Sequence, residues 1–389
     1  MEYYKSMKIK DIMRSHLQFK KHQELNYLKL TSIHKFILSF MWFFLLPTTI
    51  LEFILKKKKN HKDVFVLEYT DKEPYRTIYD RLKLDTNYRF VALSRYYVPY
   101  LPWIFVKDLG ILLREKPLFF IKNLDFLGAL ALKASHYNSL IQKQGIQNLI
   151  VLQEYSFYSS YLTRILEYEN GKLYNIQHGV PGETYCFFRF SKCFIWGEHY
   201  RKEYIRNGAE ESQFVVVGSL FHDSIDSEKK KYKESIDILY VMQGYVGSKE
   251  DTLMILDLLE SLSSEHKIRI LQHPRHRVVV AHNLLEYNGN IAEAILSSTV
   301  ILSRFSTAML DALYLKRHAV AYIGKNKSLR RYVGYLPKNL VTETVVDLEK
   351  NLLKLLVENK VAILDNNFID QTKNPIRKID DEICKNSTL

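Results

Sequence analysis

Between Lys172 and Ser219 the sequence KLYNIQHGVPGETYCFFRFSKCFIWGEHYRKEYIRNGAEESQFVVVGS fixes what this chain can fold into. An apolar run (Lys172–Ile176) breaks into a polar loop (Gln177–Gly182). A second short run (Lys192–Trp196), a helical segment (Glu198–Asn207) and a third run (Phe214–Val217) follow. Strands that alternate with helices imply a parallel sheet covered on both faces. In such sheets ligands bind beyond the carboxyl ends of the strands. The loop Gln177-His178-Gly179 stands at one such end. Two other strand ends carry polar clusters: Ile268–Leu271 runs into Gln272-His273-Pro274, and Val300–Leu302 into Ser303-Arg304-Phe305-Ser306-Thr307. These three ends are expected to wall one active site.

The alternation extends over most of the chain. Strands are expected at Val64–Tyr69, Tyr88–Leu93, Leu149–Leu152, Ile236–Val241 and Ala319–Ile323, with helices between them. The expected organisation is a basic, partly apolar segment over 1–62, a first α/β domain over 63–219 and a polar, lysine-rich linker over 220–235. A second α/β domain follows over 236–345, then a closing helix and polar tail over 346–389. Asp380-Asp381 reads as solvated surface of that tail.

Charge is unevenly placed. Of a net +13, nine positive charges fall in residues 1–62, which hold thirteen Lys/Arg against four Asp/Glu. The rest of the chain is nearly neutral, which excludes a basic body built to bind nucleic acid. Within the basic segment, Phe36–Leu55 is largely apolar, is interrupted by Pro47 and Glu52, and is closed by Lys56–Lys59. An interfacial helix whose lysines meet anionic lipid headgroups fits that pattern. A core helix and a true span, which needs about 20 residues, are the other readings. No small-residue cleavage site follows, so a removable signal peptide is not expected. Three cysteines (Cys186, Cys193, Cys384) give neither metal spacing nor a disulfide framework.

The segments QHGVPGETY, CFIWGEHYRKEYIRNGA, LQHPRHR and SRFSTAMLDALYLKRHAVAYIG together resemble bacterial surface-polysaccharide glycosyltransferases of GT-B fold. The nearest groups are the polysialyltransferase and lipooligosaccharide sialyltransferase type and the capsule Kdo transferases. The CDP-glycerol glycerophosphotransferases of teichoic acid synthesis show a related pattern. The resemblance covers about Leu149–Gly324. It implies an α/β fold of two Rossmann-like domains whose parallel sheets face across a cleft, 63–219 being the acceptor domain, 236–345 the nucleotide-sugar domain and 1–62 a membrane-associating segment. It also implies that His273-Pro274 and Ser306-Thr307 hold the CMP part of a donor. The acidic-acidic-Gly motif that carries the base in the sialyltransferase groups has no full counterpart, Glu169-Asn170-Gly171 being a partial echo.

The chemistry of such a transfer sets further expectations. It needs a base for the acceptor hydroxyl, donors for the departing phosphate, and a dry cleft. His178 and Glu154 are the base candidates. Gln177, Gly179 and Glu183 are placed at the acceptor side or cleft, where Gly179 and Gly182 let backbone pass close to a ligand. His273, with Pro274 fixing its turn and Arg275 adding charge, would bind donor phosphate. Ser306 or Thr307 would cap the helix Thr307–Leu315 and present hydroxyl and free N–H groups to an anion. Gly244, in Gly244–Gly247, is the nearest substitute for a phosphate loop. No DxD-type motif stands where a metal is wanted, so neither metal nor resident cofactor is expected, the CMP-sugar being a co-substrate. The expected partners are a nucleotide sugar, a glycan or lipid-linked acceptor and an anionic membrane surface, with no nucleic acid. The expected location is the cytoplasmic face of the inner membrane, peripheral or monotopic. Glycerol phosphate transfer from CDP-glycerol and a non-catalytic scaffold of a polysaccharide assembly complex are the alternatives.

Overall fold

The computed structural model describes residues 2–24, 30–50, 54, 63–68, 75–92, 100–152, 156–180, 189–206, 208–226, 235–243, 248–273, 277, 279–280, 282–358, 360–370 and 374–387. The chain forms two compact units, Met1–Ser219 with Thr372–Leu389, and Leu220–Gln371.

The first unit opens with two helices, α1 (Glu2–Glu24) and α2 (Ser32–Leu45). A doubly wound α/β body follows: β1 (Val64–Glu68), α3 (Tyr75–Asp85), β2 (Arg89–Ala92), α4 (Trp103–Glu115), α5 (Pro117–Lys122), α6 (Leu124–Gln144), β3 (Asn148–Val151), α7 (Ser159–Tyr168), β4 (Lys172–Ile176), β5 (Lys192–Ile195), α8 (Glu198–Arg206) and β6 (Phe214–Val216). Its sheet is parallel throughout, in the order β2-β1-β3-β4-β5-β6, with registers such as Val66↔Phe90 and Val66↔Ile150. The order reverses between β1 and β3, which makes the ends of those strands the topological switch point. β3 is buried at every position, as a strand covered on both faces should be. α6 is stopped by Gly145 in the left-handed conformation, φ 66°, where glycine carries no Cβ penalty.

The second unit comprises α9 (Leu220–Asp226), β7 (Ile236–Met242), α10 (Lys249–Leu262), β8 (Ile268–Gln272), β9 (Leu285–Glu286), α11 (Ile291–Leu296), β10 (Ser298–Ser303), α12 (Ala308–Tyr314), β11 (His318–Tyr322), β12 (Val341–Thr342) and α13 (Val345–Val357). The strand order β12-β11-β10-β7-β8-β9 is, counted from β7, the 3-2-1-4-5-6 winding of dinucleotide-binding sheets. The switch point lies between β7 and β10. One continuous core joins Ile238, Tyr240 and Met242 of β7 to Ile255 and Leu259 of α10 and Leu348 and Leu352 of α13. Ser248, Asn290 and Thr344 cap α10, α11 and α13, each side chain accepting from a backbone N–H three residues on.

Three boundaries differ from the sequence reading. Of the segment 1–62, helices α1 and α2 pack into the first unit. Ile12 and Phe19 of α1 are fully buried, and α2 lies so close on α6 that a Cβ at Gly128 would sit 1.6 Å from the Leu38 carbonyl oxygen. The linker reading of 220–235 fails at its start. α9 belongs to the second unit, with His222 buried and hydrogen-bonded through Nε2 to Asp311 Oδ1 at 2.6 Å. Residues 227–234 are not among the described ones. The expected tail divides between the units: α13 completes the second core, whereas α14 (Pro375–Ser387) returns to the first unit. There the Tyr88 hydroxyl donates to Asp380, so Asp380 is half-buried and not solvated tail, while Asp381 is exposed. Apolar residues at Ile376, Ile379 and Ile383, one turn apart, bury this last helix.

Candidate functional site

In the first unit the polar residues after β4 sit where strand topology predicts. Gln177 is fully buried and all of its polar groups serve the loop. Its Oε1 accepts from the Trp196 backbone N–H at 2.9 Å, its Nε2 donates to the Gly179 carbonyl at 2.9 Å, and its own carbonyl accepts from Trp196 Nε1 at 3.0 Å. Gln177 therefore positions the β4 and β5 ends against each other. His178, half-buried next to it, shares a 2.8 Å hydrogen bond between Nε2 and the Tyr75 hydroxyl, the rings lying 4.5 Å apart. Tyr75 opens α3, the helix that follows β1, so this pair joins the β1 side of the switch point to the end of β4. Sequence reasoning missed Tyr75. Among the described residues a Cβ built at Gly179 meets nothing within 4 Å. Glu154 and Glu183 lie outside the described residues, as do Gly182 and Cys186. The Cys193 thiol is buried and donates to Asn175 Oδ1 at 3.2 Å.

In the second unit two of the expected clusters converge on β7. The His273 N–H donates to the Met242 carbonyl at 3.0 Å, which fastens the end of β8 to the end of β7 and leaves the imidazole exposed. On the other side, Ser303 Oγ donates to the Val241 carbonyl at 2.7 Å and the Phe305 N–H to Gln243 Oε1 at 3.2 Å. His273 and the 303–307 turn thus flank β7, two strand spacings or about 10 Å apart.

Of the two cap candidates, Ser306 is the one used. The Ser306 hydroxyl accepts from the Ala308 N–H at 3.2 Å, and the Tyr335 hydroxyl donates to the Ser306 carbonyl at 3.1 Å. Thr307, at the cap position of α12, is helical (φ −59°, ψ −21°) and makes no side-chain cap bond. A helical backbone turns the side chain away from the orphan N–H groups it would have to reach. Half of the expected anion-facing pair is therefore committed to its own turn, while the Thr307 hydroxyl is not used in capping.

Arg304 of the same cluster is 2% exposed, donates from one terminal nitrogen to Asp251 Oδ2 at 2.8 Å and from the other to the Ser248 carbonyl at 3.2 Å. Asp251 in turn packs against Gly324, where a Cβ would meet its carboxylate at 2.6 Å. This brace ties the β10 turn to the start of α10. Gly244–Gly247, which joins β7 to α10, is outside the described residues, as are Pro274, Arg275 and His276. Among the described residues no three His, Cys, Asp or Glu side chains are grouped to hold a metal ion.

No protein-family model matches the chain, and no curated protein matches it in sequence. Solved structures do. A variant of the wall teichoic acid polymerase TagF superposes over 93% of this chain and 99% of its own, with TM-score 0.53 and 13% identity. A second TagF variant gives TM-score 0.54 at 12% identity over 92% of this chain and 99% of its own. A putative UDP-N-acetylglucosamine 2-epimerase from Listeria monocytogenes gives 0.51 at 10% identity over 79% and 92%. The fold is that of the GT-B class, two Rossmann-like domains each built on a parallel six-stranded sheet.

Proposed function

We propose that this protein is a nucleotide-dependent glycosyltransferase that extends a bacterial surface polysaccharide, with a CMP-activated sugar of the sialic acid or Kdo class as donor. The observation that carries the reading is the convergence of His273 and the 303–307 turn on the end of β7, at the switch point of a sheet wound in dinucleotide-binding order. In this reading His178, aligned by Tyr75, takes the proton of the acceptor hydroxyl, with Glu154 as the other candidate base. The freed oxygen attacks the anomeric carbon, the bond from that carbon to the phosphate oxygen breaks, and inversion follows. CMP leaves with its charge held by His273 and Thr307, while Arg304 and Asp251 hold the turn in place.

A second reading is supported by the full-length likeness to TagF, a wall teichoic acid polymerase. There the acceptor oxygen attacks phosphorus of CDP-glycerol, glycerol phosphate is transferred and CMP again departs. Both readings need a cytidine nucleotide site in the second unit.

The apolar face of α2 supports attachment to the cytoplasmic face of the membrane. Phe36, Ile37, Phe40 and Phe44 recur at helical spacing and are exposed, with Phe43 and Ile50 beside them. Trp42 packs edge-on against Phe120 of α5, whose Leu118 and Ile121 are also exposed. Lys35 and Lys56–Lys59 border the patch in sequence and suit anionic headgroups. No described helix is long and apolar enough to cross a membrane.

The test is thermal stabilisation by CMP, CDP, UDP and GDP in wild type and His273→Ala. A nucleotide that binds only the folded state adds about 2.7 kcal/mol at a hundredfold excess over Kd. Stabilisation by CMP that is lost in His273→Ala supports the cytidine site, and CMP release from a CMP-sugar or from CDP-glycerol then separates the two readings. A preference for UDP or GDP overturns the donor, and no stabilisation at all favours a non-catalytic scaffold.

A further inference from the structure

Strands β11, β10, β7 and β8 lie side by side and parallel in the second sheet, so their carboxyl ends share one edge. His273 stands beyond β8, Gln243 beyond β7 and Phe305 beyond β10. After β11 a short helical segment, Lys327–Val333, brings Tyr332 to Phe305. The two rings lie 6.2 Å apart with their planes inclined by 42°, and both are half-buried. Two bonds hold the turn that carries Phe305. Its N–H donates to Gln243 Oε1 at 3.2 Å, and the hydroxyl of buried Tyr335 donates to the Ser306 carbonyl at 3.1 Å. The stretch that contains Tyr332 and Tyr335 is therefore tied to the β10 turn at two points.

The bond from Phe305 decides which way round the Gln243 amide lies. A backbone N–H only donates, so the atom it meets is the amide oxygen, and the other end of the half-buried amide is the Nε2 donor. Aromatic surface thus stands beside a hydrogen-bond donor of fixed polarity, at the strand ends where such sheets take ligands. A nucleobase matches that pair of features. Its face stacks on aromatic side chains, and its edge is read by side-chain amides. Cytosine offers two adjacent acceptors, O2 and N3, whereas N3 of uracil carries hydrogen. We infer that Phe305 and Tyr332 form the stacking platform for the cytosine of the donor, and that Gln243 Nε2 donates to the acceptor edge of the base. The inference rests on the cytidine nucleotide site of the proposed function, to which it adds the residues that choose the base. In that reading His273 and Thr307 serve the phosphate, so base and phosphate are held by different side chains and can be tested apart.

The experiment measures binding of CMP, UMP and ribose 5-phosphate to the full-length protein by isothermal titration, in wild type, Phe305→Leu and Gln243→Glu, with the Tm of each. Ribose 5-phosphate keeps sugar and phosphate but lacks the base. Phe305→Leu should weaken CMP by about tenfold or more and leave ribose 5-phosphate unchanged. Gln243→Glu keeps an oxygen for the Phe305 N–H but turns the outward donor into an acceptor. CMP affinity should fall by a similar factor at unchanged Tm, with a smaller loss for ribose 5-phosphate, which meets only the added charge. Saturation transfer from aromatic side chains of the wild type should reach cytosine H5 and H6 more strongly than the ribose protons, which keeps the test open if a variant fails to fold. CMP affinity unchanged in folded Phe305→Leu, equal losses for CMP and ribose 5-phosphate in both variants, or saturation that reaches the ribose and not the base overturns the inference. Any of these beside a loss of CMP binding in His273→Ala leaves the donor reading standing. UMP bound more tightly than CMP overturns the cytosine assignment together with the cytidine donor, and binding of none of the three overturns the site.

Discussion

The Tyr75 hydroxyl and His178 Nε2 lie 2.8 Å apart although 103 positions separate them in sequence. One residue opens the helix after β1 and the other ends β4. With the rings 4.5 Å apart and inclined by 32°, the tyrosine fixes both the position and the tilt of the imidazole. A histidine that accepts a proton from a bound hydroxyl has to be held in one orientation and one tautomer, and a partner on one ring nitrogen does that.

Tyr75→Phe should therefore lower kcat by about tenfold with little change in KM, the equivalent of one hydrogen bond of about 1–1.5 kcal/mol. His178→Ala should lower kcat by about a hundredfold or more, in the range of general base catalysis. Steady-state kinetics on both variants and on the double variant check this. If Tyr75 acts only through His178, the double variant is no slower than His178→Ala alone.

The Arg304–Asp251 pair holds the β10 turn to α10 in a buried setting. Breaking one side of such a pair costs about 3–5 kcal/mol, because the remaining charge stays buried and uncompensated. Arg304→Met and Asp251→Leu should each shift the urea midpoint strongly downward, whereas the double variant should recover much of the loss. A double variant as unstable as the sum of the singles would mean that the two groups act independently.

Asp11 gives the first unit a pH dependence. Burial pushes its carboxyl up to about 6, against the opposing charges of Arg189, Arg14 and Arg164, with Glu167 adding to the rise. A folded-state pKa above the unfolded value of 3.8 contributes stability that is fully present below 3.8 and is lost as pH rises through 6. A shift of about two units corresponds to about 3 kcal/mol at most. Asp11→Asn should flatten that part of the curve, so urea unfolding of wild type and variant at pH 4.5 and 7.5 should show the wild type gaining relative to the variant at the lower pH. Parallel curves would place the raised carboxyl elsewhere.

How much of this was legible in the sequence follows from how local each signal is. Strand and helix alternation is carried by short-range pattern, and every expected strand of the second half is present. His178 and His273 could be placed at strand ends because period and polarity change there. Tyr75, Arg304 and α14 could not be placed. Tyr75 meets His178 only through the winding of the sheet. Arg304 sits in a polar turn whose burial depends on Asp251 from another helix. The α14 stripe of Ile376, Ile379 and Ile383 is spaced for a helix, but nothing local says that it packs back on the first unit. Which of Ser306 and Thr307 caps α12 was not legible either: Ser306 does, because Thr307 already has helical dihedrals.

Gly128 shows the same limit in α2 and α6. Its hydrogen faces the Leu38 backbone, and a methyl group there would come within 1.6 Å of the carbonyl oxygen. Backbone cannot rotate aside as a side chain can, so Gly128→Ala should destabilise by the upper end of about 1–3 kcal/mol or more. Limited proteolysis should then cut near α2 far faster than in wild type. Unchanged cleavage would mean that α2 reseats on α6 without cost.

The exposed face of α2 gives the last prediction. Phe36 is 67% exposed and Phe44 74%, a placement that water disfavours by roughly 1.5–3 kcal/mol for each such side chain relative to full burial. These rings do not hold α2 on α6, since that contact uses the opposite face. Phe36→Ser, Phe40→Ser and Phe44→Ser combined should therefore leave the Tm nearly unchanged while reducing sedimentation with phosphatidylglycerol vesicles by at least about a hundredfold in affinity. High salt should weaken wild-type binding, because the basic residues that border the patch act through screened charge. The two effects separate the contributions: insertion of rings survives salt, and attraction to headgroups survives the serine substitutions in part. A triple variant that still pellets as wild type does would show that α2 does not enter the lipid.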